Sequence, residues 1–414
     1  MTPLVPSGAV GQPLVVVTDW GARGALPLAL LCASIGAAAF FYWRALHRAQ
    51  PPAFGLLLAC ATLALAIAWS SPVLFSSDVY AYAAYGEMAR LGLNVYAHAP
   101  AASADVLIHA AQAQWVSAFP ICVYGPAFVT LARWTVTVFG PLGVLAQLDA
   151  FRVASSAAFL LCIALIYAAY RGDSASRLRA AATFGLNPVA IWCAVEGHND
   201  ALALAIVLLG FALLRERSAS LAGAVAALSA SIKLPGAAAA IALGVVTTRA
   251  RIGVAVGIAI VAAFSIPLVA GVATQAAAHG VYAPQASLQA IIAPLGRVPA
   301  GLLAATLAAT LAMRGIFLLR RHDDEGWIWL GIGAWMLVPN PYPWYATWLL
   351  ALAALAPTTP AAWTAIGLSF TSLLRYLPDA IATPAPPLSV ALGIAATLPL
   401  LTLVAPRWYN ERLV

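Results

Sequence analysis

Long apolar stretches separated by short polar loops run along most of this chain. Each stretch is long enough, or nearly long enough, to cross a bilayer as a helix of about 20 residues. They lie at about 25–43, 53–70, 150–170, 180–195, 199–214, 220–232, 236–248, 252–270, 299–319, 327–338, 343–356, 361–376 and 388–405. The pattern predicts an all-α fold, a polytopic bundle with about thirteen transmembrane spans. The shorter stretches predict broken helices or hairpins that do not reach the far side.

Basic residues cluster in six of the loops, and this clustering predicts the orientation of the chain. Because loops rich in arginine stay on the cytoplasmic side, all six clusters are expected there. They are Arg44 and Arg48; Arg171, Arg177 and Arg179; Arg215 and Arg217; Arg249 and Arg251; Arg320 and Arg321; and Arg407 and Arg412. This arrangement requires that the apolar stretch 121–139 does not cross the membrane. We therefore expect a juxtamembrane or re-entrant helix there.

The loops on the opposite side carry most of the polar chemistry and are expected to face outward. The longest of them, residues 71–149, is expected to hold juxtamembrane helices. The other outward loops lie at 196–200, 233–236, 271–297, 340–345 and near Asp379. No repeat of fixed period and no low-complexity linker divides the chain, so residues 1–414 are expected to form one integral domain.

Composition excludes several other classes of protein. The chain is 63% hydrophobic and 8% charged, too apolar for a water-soluble globule. The net charge of +7 is dispersed over short loops, which argues against a nucleic-acid-binding face. The N-terminus has no basic region before its first apolar stretch, so no signal peptide is expected. Four of the five cysteines lie in apolar stretches, which disfavours a disulfide framework or a metal cluster.

An aspartate breaks the apolar pattern just after the second stretch. Asp78 belongs to FSSDVYAYAAYGEMARLGLNVYAHAP, residues 75–100. A carboxylate near the membrane is costly, so its presence needs a reason. One reason is capping of a short interfacial helix by Ser77 or Asp78, with Glu87 and Arg90 as an i, i+3 surface pair. The other is a catalytic role, and the sequence leaves both open.

Two more polar clusters interrupt the apolar pattern on the same predicted side. The segment EGHND places Glu196, His198, Asn199 and Asp200 between two apolar helices, and Lys233, the single lysine, lies between two others. Asp200 is either a helix N-cap or a substrate contact. His198 and Asp200 alone are weak grounds for a metal site. Lys233 either extends to the membrane surface or binds phosphate.

Further candidate contacts lie in the remaining outward segments. Arg297 closes the loop 271–297 and is a candidate anion contact. The aromatic turns VYGPAF (123–128) and NPYPWYATW (340–348) suit a lipid or sugar cleft. An aromatic belt at the membrane surface is the commoner cause of such turns.

Four of these segments, in this order, resemble the GT-C superfamily of integral-membrane glycosyltransferases. The resemblance is strongest to the polyprenol-phosphate-mannose-dependent alpha-mannosyltransferases of lipoglycan assembly. The stretch LFSSDVYAYAAYGEMARLGLNVYAHAP is similar to the family's first long outer loop, and VYGPAF to its YGP segment. GLNPVAIWCAVEGHNDALAL is similar to its NP…HND hairpin, and NPYPWYATWLL to its late PWY segment.

The resemblance implies roles for individual residues. Asp78 occupies the position of the catalytic base, which takes the proton of an acceptor hydroxyl during an inverting displacement. Lys233, His198 and Arg297 are expected to stabilise the leaving phosphate of the donor. The expected substrate-binding residues are Tyr82, Glu87, Tyr124, Asn199, Asp200, Tyr342, Trp344 and Tyr345.

The resemblance also implies the substrates. The expected donor is a polyprenyl-phosphate hexose, most simply mannose, and the acceptor a lipid-linked or cell-envelope glycan. Both would meet, among membrane lipids, on the extracytoplasmic side of the inner (cytoplasmic) membrane. No cofactor and, without a DxD pair beside Asp78, no divalent metal is expected. The alternatives are a polytopic carrier or lipid flippase, for which ionisable residues near the midplane and related halves are not clearly visible, and a non-catalytic scaffold.

Overall fold

The computed structural model describes residues 22–47, 53–70, 76–100, 105–113, 119–216, 218–279, 284–376 and 386–403. These residues form helices and turns, without a strand, which confirms the all-α class. The helices are α1 Ala22–Leu46, α2 Phe54–Trp69, α3 Asp78–Arg90, α4 Val106–Ala113, α5 Pro126–Phe139, α6 Val144–Ala169, α7 Ser174–Gly185, α8 Pro188–Val195, α9 Asp200–Arg215, α10 Ala219–Leu228, α11 Pro235–Val246, α12 Arg251–His279, α13 Leu288–Ile292, α14 Arg297–Arg320, α15 Glu325–Met336, α16 Pro343–Ala353, α17 Pro360–Thr371 and α18 Pro386–Thr397.

The chain divides into two compact units. The first contains, among the described residues, the helices α2 to α12 within His47–Tyr282. The second contains Val17–Leu46 and Ala283–Val414, with α1 and α13 to α18. The expectation of one integral domain stays a prediction.

Each of the thirteen apolar stretches contains a helix, but the helices differ greatly in length. Among the described residues, three are long and apolar enough to cross a membrane, Val144–Ala169, Thr248–Gly271 and Val298–Arg320. A fourth candidate is the pair α7 and α8, bent by 55° at its break. Asn187 and Pro188 explain that break, because the Asn187 side chain caps α8 and Pro188 occupies its first position. The number of thirteen crossings stays a prediction.

The long helices combine apolar outer faces with close inner contacts. Phe264 and Ile266 on α12 are 69% and 70% exposed, as expected for side chains that face lipid. On the inner side of α12, a Cβ on Gly253 would lie only 1.7 Å from the Ser220 carbonyl oxygen. Small residues thus allow the backbones of α10 and α12 to touch, a common way to pack membrane helices.

The described part of the segment 71–149, expected to lie outside the membrane, contains the three short helices α3, α4 and α5 and the start of the long α6. Helix α5 has 14 residues, fewer than the roughly 20 needed to cross a bilayer. It packs tightly on α3, because a Cβ on Gly86 would lie 2.5 Å from the Ala132 carbonyl oxygen. That α5 does not cross the membrane stays a prediction.

Candidate active site

Polar side chains from three segments meet in the first unit. The segments are the start of α3, the loop 196–200 between α8 and α9, and the turn 229–233 between α10 and α11. The YGP segment before α5 packs on this turn, where the Gly125 amide donates to the Ile232 carbonyl at 3.0 Å. A Cβ on Gly125 would lie 2.2 Å from the Ser231 carbonyl oxygen, so a larger residue would push the two segments apart.

A glycine cap at the end of α8 sets the direction of the loop 196–200. Gly197 has a φ of +84°, which glycine adopts with little strain. Its amide donates to the Ala194 carbonyl at 3.1 Å, and the His198 amide donates to the Cys193 carbonyl at 3.2 Å. This is the Schellman pattern of a helix end. It reverses the chain and places His198 next to the start of α3.

The carboxylate of Asp78 points into the cluster. Among the described residues, the N-cap of α3, Ser77, makes no side-chain cap hydrogen bond. Asp78 is the first residue of the helix, and its Oδ2 accepts a long hydrogen bond of 3.5 Å from the Tyr124 hydroxyl. The same oxygen lies 3.6 Å from Nδ1 of His198. The Tyr124 hydroxyl therefore contacts this carboxylate, and the His198 imidazole lies beside it.

Asp78 is also the most accessible carboxylate of the cluster. Its side chain is 17% exposed, whereas those of Glu196 and Asp200 are 4% and 1% exposed. A general base has to reach the proton that it removes. Of the three, Asp78 is the carboxylate that a substrate can reach most easily.

Lys233 and Asp200 form a buried ion pair. The Lys233 ammonium donates to Asp200 Oδ2 at 2.6 Å, and their side chains are 11% and 1% exposed. The ammonium also lies 5.8 Å from the centre of the Tyr124 ring. Asp200 thus acts as the partner of a cation, and Tyr124 lies between that cation and Asp78.

Aromatic rings support the cluster from the side of α3. The Tyr82 ring meets the Tyr124 ring edge-on at 5.0 Å and the Phe128 ring at 4.9 Å. The Tyr82 hydroxyl donates to the Asn199 side-chain oxygen at 3.4 Å. Burial, together with the negative charge of Asp78, raises the pKa values of Tyr82 and Tyr124 well above the usual range of a tyrosine hydroxyl. Both hydroxyls therefore keep their protons and remain donors at neutral pH.

Glu87 lies away from this cluster. It follows Asp78 by nine residues on α3, which places it about half a turn around the helix and about 14 Å along it. Glu87 is only 3% exposed, and its carboxylate pairs with Arg90, whose Nε donates to Oε2 at 2.8 Å. The expected i, i+3 pair is present, but its acid is buried instead of lying on the surface.

Four expected site residues belong to the second unit and are described there by themselves. Tyr342 and Trp344 stack at 4.4 Å, and the Trp344 ring meets Tyr345 edge-on at 5.8 Å. Arg375 donates to the Tyr342 hydroxyl at 2.6 Å and lies 4.3 Å from the centre of that ring. Arg297 begins α14, but its side chain lies outside the described residues.

The sequence did not assign a role to Glu196, which the structure places behind His198. Its Oε2 lies 3.7 Å from Nε2 of His198, while its Oε1 accepts a hydrogen bond of 2.7 Å from the Trp192 indole. The Ser155 hydroxyl donates to the His198 carbonyl at 2.7 Å. The i, i+4 spacing of Trp192 and Glu196 could have predicted their contact along the helix. It could not have predicted that Glu196 lies beside His198, because that depends on the chain reversal at Gly197.

The side chains of the polar cluster can be compared with those that a metal site needs. Within the described residues, no group of three or more His, Cys, Asp and Glu side chains is arranged to hold a metal ion. The Asp200 carboxylate is paired with the Lys233 ammonium, whose Nζ lies 2.6 Å from Oδ2. Independence of divalent metal stays a prediction.

One comparison with known proteins identifies the chain. The MptA/B family model, described as alpha-(1->6)-mannopyranosyltransferase, N-terminal domain, matches residues 5–249, more than half of the chain. The matched region contains the whole cluster from Asp78 to Lys233, whereas the turn 340–348 lies beyond it. No curated protein and no solved structure matches. The resemblance to GT-C mannosyltransferases of lipoglycan assembly is confirmed, and the chain belongs to the alpha-(1->6)-mannopyranosyltransferase family.

Proposed function

We propose that this mannosyltransferase moves mannose from a polyprenyl-phosphate donor to a lipid-linked or envelope glycan, with inversion and without a metal. One observation carries the proposal. The carboxylate of Asp78 lies beside Tyr124 and His198, and it is the most accessible acid of the cluster. Asp78 is an accessible base, and Lys233 is a buried cation of the same cluster. This combination suits a displacement in which one group accepts a proton and the other stabilises the leaving phosphate.

The reaction follows from these positions. Asp78 takes the proton of the acceptor hydroxyl as the hydroxyl oxygen attacks the anomeric carbon of mannose. The bond from that carbon to the phosphate oxygen breaks, and the leaving polyprenyl phosphate keeps the electron pair. Attack from the face opposite the phosphate inverts the anomeric centre. The product glycan then departs, and the proton on Asp78 passes to water.

Lys233 serves the leaving phosphate in this proposal. An ammonium has three donors, and one of them is used by Asp200 at 2.6 Å. The Lys233 side chain is 11% exposed, and its ammonium would form a charge-assisted hydrogen bond with a phosphate oxygen of the donor. The buried side-chain nitrogen of Asn199 has no hydrogen-bond partner among the described residues and is a further donor for substrate. His198 contributes positive charge only when protonated.

In this proposal the polar cluster faces the extracytoplasmic side of the inner membrane. The support is the distribution of arginine. Arg177 lies in the first turn of α7 and Arg215 ends α9, so both lie at the helix ends away from the loop 196–200. In this position the lipid chain of the donor stays in the bilayer, while the acceptor hydroxyl arrives from water.

Transfer assays in oriented vesicles test the proposal. Vesicles that contain the wild-type chain are given radiolabelled polyprenyl-phosphate mannose on one side, with GDP-mannose as the comparison donor. We expect label in the glycan from the lipid donor only, on the extracytoplasmic face, with unchanged activity in EDTA and an inverted anomeric configuration. Movement of intact donor across the bilayer without transfer would instead favour a carrier.

Glu196 is expected to act through His198. Glu196→Gln removes the charge that faces His198 Nε2 but retains an oxygen for the Trp192 indole. We expect kcat to fall about 10- to 100-fold with little change in KM, because one charge-assisted contact that orients the imidazole is lost. Steady-state transfer kinetics measure both parameters. Glu325→Gln is the matched control, since Glu325 accepts the Trp329 indole at 3.0 Å on α15 in the second unit. A change confined to KM would refute this role.

A further inference from the structure

A second polar cleft lies in the first unit, on the side of α3 opposite Asp78. Its volume is about 440 Å³, within the range of about 300 to 1,000 Å³ that is usual for small-molecule sites. The C-terminal ends of α3 and α5 and the N-terminal ends of α4 and α6 line it. Its polar side chains are Glu87, Arg90, Asp105, Thr137 and Gln147.

The charges in the cleft disfavour an ionic ligand. Glu87 and Arg90 neutralise each other through an ion pair. Asp105 is a second carboxylate, whose Oδ1 accepts the amides of Leu107 and Ile108 at 3.0 Å each. A phosphate would meet two carboxylates, and a small cation would meet the Arg90 guanidinium. The ligand that fits is neutral and polar.

Donors, acceptors and apolar surface alternate along the walls. The Arg90 side chain is 43% exposed, so its guanidinium can still reach a ligand. Gln147 donates from Nε2 to the Val136 carbonyl at 3.1 Å, which leaves its side-chain oxygen as an acceptor. Pro141 and Val144 add apolar surface beside these groups. Hydroxyl groups next to C–H faces are the chemistry of a saccharide.

We propose that this cleft binds sugar residues of the acceptor glycan at a distance from the residue that receives mannose. The inference rests on the proposed function for the identity of that glycan. The separation along α3 is about 14 Å from Asp78 to Glu87, and the two face opposite sides of the helix. A short acceptor bound at Asp78 does not extend to the cleft, whereas a longer chain does. The cleft therefore favours long acceptors.

A tryptophan that fills the cleft tests the inference. Thr137 is exposed and lines the cleft, while its neighbour Val138, 46% exposed on the same helix, does not line it. The full chain carrying Thr137→Trp is compared with the matched control Val138→Trp. Binding of alpha-(1->6)-linked mannose oligosaccharides of increasing length is measured by saturation-transfer NMR in detergent. KM for a short and a long lipid-linked acceptor is measured in parallel.

We expect Thr137→Trp to weaken binding of the long oligosaccharide about tenfold, the effect of losing one or two hydrogen bonds. KM should rise only for the long acceptor, and Val138→Trp should match the wild type in both assays. Equal binding by the two variants would overturn the inference. Because the binding assay needs no donor, a wild type that binds at the cleft but transfers no mannose would refute the proposed function alone.

Discussion

Replacing Asp78 with asparagine is expected to lower mannose transfer about 100- to 10,000-fold, the usual contribution of a general base. An amide has almost the shape of a carboxylate and can still contact Tyr124 and His198. The Tyr124 hydroxyl and His198 Nδ1 lie 3.5 and 3.6 Å from Asp78 Oδ2. It cannot accept the proton of the acceptor hydroxyl. The loss should therefore appear in kcat, while thermal stability in detergent changes little. Initial rates with saturating polyprenyl-phosphate mannose measure the effect.

The control for this experiment is another aspartate at a helix start. Asp173 caps α7, where its side chain accepts the Ser176 amide at 2.8 Å, outside the cluster. Asp173→Asn should retain wild-type transfer. Full activity of a folded Asp78→Asn protein would remove Asp78 from the mechanism and leave it a structural role at the start of α3.

Replacing Lys233 with alanine is expected to damage both stability and transfer. The change leaves the Asp200 carboxylate, 1% exposed, without the ammonium that now lies 2.6 Å away. Removing one partner of a buried ion pair costs about 3 to 5 kcal/mol. Thermal unfolding in detergent should show a clear loss, and transfer should fall at matched protein abundance.

A double variant separates the two effects. Lys233→Met with Asp200→Leu replaces the pair by apolar side chains, an exchange that often retains stability. We expect the melting temperature to return close to the wild-type value while transfer stays low, because the cation for the leaving phosphate is absent. Recovery of transfer together with stability would show that the pair is structural only, and the phosphate contact would have to be sought elsewhere.

The sequence by itself determined the helical class, the positions of most helices and the residues worth testing. All thirteen apolar stretches contain helices, because backbone groups in an apolar environment must bond within their own segment. Asp78, His198 and Lys233 stood out because charge in apolar surroundings is costly and needs a reason. The sequence indicated the break between α7 and α8 only through the short length of the apolar stretch 180–195, although Asn187 and Pro188 mark the position of the break.

Only the tertiary structure decided which of these groups meet. It pairs Asp200 with Lys233 across 33 positions and sets His198 beside Asp78, while Glu87 on the same helix as Asp78 turns away. The physical reason is that ion pairs and hydrogen bonds depend on separations of a few ångströms. Those separations are set by helix contacts such as that of Gly125 with the turn 229–233, and local residue spacing does not contain them.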